Sequence, residues 1–132
     1  QIHRRHAGRG AGRLFRCVQQ GAPGKLLSVS RKLYEPGPSA ESLAAFGLSL
    51  RDIPDEICEV WPDVWQAFKV FEAMGTQWRT GACGATGLDY TSIRHVAGFL
   101  GLSRSEVADV FPDIRVMEAE ALRVMAEQRD SK

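Results

Sequence analysis

The chain has 132 residues, of which 44% are hydrophobic and 25% charged, and its formal net charge is only +1. That length predicts one small domain with a modest core. The composition excludes several classes. The three cysteines, Cys17, Cys58 and Cys83, are scattered and odd in number, which argues against a disulfide frame or a zinc knuckle and for free thiols in a reducing cytosol. No apolar run approaches the roughly 20 residues of a membrane span, and the first residues, QIHRRHAGRGAGRLFR, lack the apolar stretch of a secretion signal. The expectation is a cytoplasmic protein.

Charge is unevenly spread. Residues 1–36 carry eight Lys or Arg against one acid, Glu35, whereas residues 37–132 carry nine against fifteen. The chain therefore divides into a basic N-terminal arm, 1–36, and an acidic helical domain, 37–132. Its start at Gln1 instead of Met fits a fragment, a processed product or an internal piece.

In chain order, residues 1–12 are too polar to pack and are expected to be disordered. Leu14, Phe15, Cys17 and Val18 predict a short helix ended by Gly21, and GKLLSVSRKLYEP predicts a second, stopped at Pro36. Ser39 is an N-cap for a helix carrying Leu43 and Phe46 and closed by Gly47. In RDIPDEICEVW, Ile53, Ile57 and Val60 fall on one helical stripe and the acids on another, predicting an amphipathic turn or two. Pro62 then opens the strongest helix, with Val64, Phe68, Phe71 and Met74 inward and Trp65 and Trp78 widening that face. Asp89 caps the next helix, whose inner face is Ile93, Val96, Ala97 and Leu100. SRSE at 103–106 is a capping box, and a last helix after Pro112 turns Ile114, Met117, Ala121 and Met125 inward. The fold expected is all-α: a bundle of about four to six short helices with a Gly-rich loop between two of them.

That loop, TQWRTGACGATGLDYTSI, holds Gly81, Gly84 and Gly87 three residues apart. It is no phosphate loop, because neither a preceding strand nor a following Lys is present; it reads as a turn between helices. Cys83, or a set made of Asp89, Ser92 and His95 at three-residue spacing, is the only place to look for a nucleophile. A cap, a first-turn hydroxyl and a surface imidazole explain the same residues more simply, so no catalytic residue is assigned. His3 and His6 flank Arg4 and Arg5, whose charge opposes cation binding, so no metal or cofactor is assigned either.

IRHVAGFLGLSRSEVADV, 93–110, has helix-turn-helix spacing, with Ala97 at the contact, Gly101 at the corner and Val107 beyond. A DNA-binding reading would place the helix beginning near Ser103 in a major groove, with Arg104 and Ser105 outward and Arg4 and Arg5 contacting phosphates. Glu106 and Asp109 on the same helix, in an acidic body, oppose that reading.

Trp61 and Trp65, Met74, the block Thr76-Gln77-Trp78-Arg79, Gly84, Gly87-Leu88-Asp89-Tyr90 and Met117-Glu118 are similar to a small phage and prophage family, over Glu56 to Leu122. Its members are typically encoded among tail-assembly genes near the tape-measure gene. The resemblance implies a non-enzymatic tail-assembly role, similar to the downstream part of frameshifted tail-assembly chaperones, which hold the tape measure while tube subunits polymerise. A downstream segment of that kind would need no starting Met. The implied partners are the tape-measure protein or a tube subunit, inside the bacterial host. Trp61, Trp78, Arg79, Asp89 and Tyr90 are the candidate contacts, because they hold aromatic or charged groups around a loop. The alternative is the helix-turn-helix protein, a regulator or packaging adaptor, that uses 93–110.

Overall fold

The computed structural model of the protein describes residues 3–6, 13–17, 26–54, 56–60 and 62–131. It corrects the all-α expectation: among the described residues five helices are joined by two small sheets. Strand β1 (His3–His6) pairs antiparallel with β2 (Arg13–Cys17), and β2 pairs parallel with β3 (Glu56–Val60), in register Arg13 with Glu56 through Cys17 with Val60. The stretch expected to be disordered thus contributes a strand at His3–His6, and the helix expected around Leu14 and Phe15 is a strand.

The amphipathic turn expected over 53–60 is also a strand. Cys58 and Val60 are both buried, an inward alternation of two residues. The helical reading took Ile57 and Val60 as the repeat and passed over Cys58, so it chose the wrong period. β-Branched Ile57 and Val60 suit an extended backbone.

Helix α1 (Leu26–Tyr34) follows as expected and turns Val29 and Leu33 inward. The buried Ser30 hydroxyl donates to the Met117 carbonyl at 2.5 Å. Helix α2 (Ala40–Ala44) has Ser39 as its N-cap, accepting from the Ser42 amide, and a 3-10 turn covers Leu50–Asp52. Helix α3 (Pro62–Ala73) carries Val64, Phe68 and Phe71 into the core, with Met74 just beyond its end.

The chain then forms not a turn between helices but a β-hairpin, β4 (Trp78–Gly81) with β5 (Gly84–Leu88). Helix α4 (Tyr90–Phe99), capped by Asp89, buries Ile93 and Ala97. Helix α5 (Arg104–Asp130) starts at the expected Ser103/Glu106 capping box but runs unbroken through Pro112 instead of restarting after it. Pro112 lacks the N–H that would reach Ala108. Both residues are exposed, so the freed carbonyl lies on the wet side of the helix.

α5 is the spine. Its Ile114, Met117 and Ala121 are buried against α1, α3 and β5. Arg31 of α1 reaches across to Glu120 at 3.2 Å and Glu127 at 2.6 Å on α5. The Arg31 guanidinium holds the Glu127 carboxyl below the usual range.

Candidate functional site

The hairpin explains two of the three loop glycines. Gly84 has φ +108°, which lets the chain reverse after Ala82 and Cys83. Gly87 is buried, and a Cβ there would lie 3.0 Å from Arg79 Nη2 and 3.3 Å from Glu118 Oε2. Absence of a side chain at 87 lets α5 present a carboxylate to the hairpin's last strand.

That carboxylate is Glu118, only 8% exposed. Its Oε2 accepts from the Leu88 amide at 2.7 Å, and its Oε1 accepts from the Tyr90 hydroxyl at 2.6 Å. One buried side chain thus clamps the end of β5 and the first residue of α4 onto α5. Charge-assisted bonds of this kind are stronger than neutral ones. On the other strand, the Trp78 ring stands edge-on to Tyr34 at 5.6 Å and to Phe71 at 6.3 Å, and its Nε1 donates to the Tyr34 hydroxyl at 3.0 Å.

Four of the five expected partner contacts therefore gather at the hairpin base, but they differ in what they expose. Trp78 is half-buried, with its indole N–H already committed. Asp89 is held by Thr91 and Ser92, whose hydroxyls donate to it and lower its carboxyl below the ordinary range. Arg79 is exposed, its guanidinium carbon 6.0 Å from the Tyr90 ring centroid. Tyr90 is 41% exposed and leans edge-on against Phe111 at 5.2 Å. Trp61 lies outside the described residues.

Tyr90 also opens a groove of about 650 Å³ between α4 and the start of α5. Arg94, His95 and Arg104 line it with Thr91, over a floor of Gly98, Leu102 and Val107. Among the described residues no carboxylate lines it. Arg94, His95 and Arg104 make no hydrogen bond or ion pair among the described residues. Tyr90, assigned to partner binding, and Arg104, assigned to the DNA reading, therefore line one surface. Ser105 is exposed beside Arg104 on α5. Arg4 and Arg5 are described only as backbone of β1, opposite Phe15 and Leu14.

Ser92 Oγ donates to Asp89 Oδ2 at 3.0 Å, while His95 bonds to neither, so these residues are not arranged as a relay. Cys83 is exposed in the hairpin turn, and its carbonyl accepts from the Arg129 guanidinium. Among the described residues no group of three or more His, Cys, Asp or Glu is placed to hold a metal, and no helix is long and apolar enough to cross a membrane.

Sequence reasoning missed two residues here, Phe99 and Glu118. Phe99 is 88% exposed; Phe46, expected with Leu43 on one helix, instead lies past the end of α2 and is 82% exposed. Phe99 falls off the inner spacing of 93, 96, 97 and 100, so the helical period itself turned it outward. Glu118 follows Met117 on the inner face of α5, and an acid next to that stripe was the available signal.

Hydrogen bonding to Glu118, then burial, raises the Tyr90 phenol above its ordinary value, with Arg115 opposing. Burial raises Tyr34 as well. A phenol whose folded-state pKa is raised contributes stability that is present below its unfolded value, about 10, and is lost as pH rises through the folded value. Melting temperature should therefore fall above about pH 10. Tyr90→Phe should show a smaller alkaline loss than the parent, with the remainder owed to Tyr34. Equal losses would show that Tyr90 does not titrate against Glu118.

The model of a family described as "Phage related hypothetical protein (DUF1799)" matches residues 46–125, which include the hairpin, the groove and Glu118. Comparison with curated proteins and with solved structures gives no match.

Proposed function

The chain belongs to this phage-related family, and on that premise we propose that it is a non-enzymatic tail-assembly factor. It binds the tape-measure protein or a tail-tube subunit in the manner of a chaperone, inside the bacterial host. The observation that carries this reading is the exposed side of α4: Tyr90 at its start is part-exposed, Phe99 at its end stands almost fully out of the fold, and the groove against α5 holds basic side chains with no hydrogen bond or ion pair among the described residues. Aromatic and Arg side chains supply most of the energy at protein interfaces. An exposed ring next to a groove covers apolar surface on a partner that would otherwise aggregate.

The test is co-expression with the tape-measure protein or the tube subunit of the same phage genome. The factor should co-elute with one of them and keep it in solution. Independent elution from both, with no gain in their solubility, contradicts the proposal.

A further inference from the structure

We propose that the groove between α4 and the start of α5 receives a carboxylate-bearing, amphipathic segment of the partner protein. This rests on the partner-binding reading and adds to it the chemistry of the segment that is bound.

The basic side chains of the groove differ in their bonding from others in the fold. Arg31 of α1 and Arg123 and Arg129 in the C-terminal half of α5 are used internally: Arg31 and Arg123 pair with Glu120 and Glu127, and Arg129 bonds the Cys83 carbonyl. Arg94, His95 and Arg104 converge on one groove with no acid lining it and no hydrogen bond or ion pair of their own among the described residues. Two carboxylates of α5 are already engaged. Glu118 holds Leu88 and Tyr90 on the inner side, and Glu106 accepts from the Ser103 amide at 3.0 Å and from Gln66 at 3.1 Å. Three uncompensated donors facing one space are complementary to an anion.

The same surface also has an apolar part. Leu102 and Val107 floor the groove, and Phe99 lies four residues after His95 on α4, hence on the same side of that helix. An occupant must satisfy both features: carboxylates for Arg94 and Arg104, and an apolar side chain against Phe99. A protein segment with acidic and apolar residues in alternation along a helix does so. A nucleic acid does not. A duplex contact neutralises on the order of 6–10 phosphates, whereas this groove offers two arginines and a histidine. Residues 37–132 also carry fifteen acids against nine Lys or Arg, and Asp109 is exposed on α5 one turn past Ser105.

The experiment uses the full chain and fluorescence anisotropy with three labelled probes. They are a helical peptide of Glu and Leu, the same peptide with Gln for Glu, and a short DNA duplex. The Glu peptide should bind, and the Gln peptide should bind at least about tenfold more weakly. The double variant Arg94→Glu, Arg104→Glu should lose at least about tenfold in affinity for the Glu peptide, and Phe99→Ala about fivefold. All three side chains are exposed, so circular dichroism should be unchanged in each variant; the comparison of Glu and Gln peptides on the parent needs no variant at all. Three results overturn the proposal: no binding of the Glu peptide, equal affinity for both peptides, or preferential binding of the duplex that is lost on charge reversal. Self-association of the chain that Phe99→Ala abolishes while Glu-peptide affinity is unchanged also overturns it, in favour of a second copy as the occupant. If tail protein is captured by the parent and equally by the double variant, the groove assignment fails while the assembly role stands. If the parent captures no tail protein, the assembly role itself fails.

Discussion

Trp78→Ala is expected to destabilise the protein by about 3 kcal/mol, the lower end of the range for large-to-small core changes because the ring is half-buried. The ring closes a three-membered aromatic cluster with Tyr34 and Phe71, and Phe71 is fully buried. Its removal leaves a void between α1, α3 and β4 and deprives the Tyr34 hydroxyl of the Nε1 donor. Urea denaturation followed by circular dichroism measures the change. Trp78→Phe should recover most of the packing and lose the hydrogen bond, giving an intermediate value. A Trp78→Ala protein as stable as the parent would mean that the ring is not packed in solution and is free for a partner. The same substitution is a poor test of partner contact, since lost binding would follow from lost fold. Arg79→Ala, at an exposed position on the same strand, is the cleaner one.

Glu118→Ala is expected to cost a similar amount, about 3 kcal/mol, by a different route. It leaves the Leu88 amide buried without an acceptor and removes the acceptor of the Tyr90 hydroxyl. Glu118→Gln keeps one carbonyl oxygen for the Leu88 amide, and the Tyr90 hydroxyl can rotate to accept from the new amide, so its loss should be nearer 1 kcal/mol. Because Tyr90 and Glu118 act as a pair, the double variant with Tyr90→Phe should cost less than the sum of the single changes. Strict additivity would show that the clamp does not operate. Loosening the clamp also frees the first turn of α4, so groove binding should weaken alongside stability.

The helices were legible because their signals are local. Ser39, Asp89 and Ser103 each satisfy backbone amides within three residues of themselves, and each caps the helix expected of it. Val64, Phe68, Phe71 and Met74 repeat at three- and four-residue steps and all are buried. The strands were not legible, because what makes them strands lies far away. β3 owes its place to pairing with β2, more than 40 residues earlier, and its two-residue alternation competes with an equally good helical spacing. In the hairpin, Gly81, Gly84 and Gly87 dilute the β-branched signal of Thr80 and Thr86, so the segment resembles a loop. Arg79, Asp89 and Tyr90 were found as a group because loops concentrate function. Glu118, which organises them, lies about 30 residues downstream, and only the packing of α5 on β5 brings it there.

The measurement closest to the central claim is capture of the tape-measure or tube protein by three forms of the full chain: the parent, Arg94→Glu with Arg104→Glu, and Phe99→Ala. The account predicts capture by the parent, loss of at least about tenfold in the charge-reversed form and a smaller loss in Phe99→Ala, with the far-ultraviolet spectrum the same in all three. Capture at equal strength by all three, or by none, would contradict it.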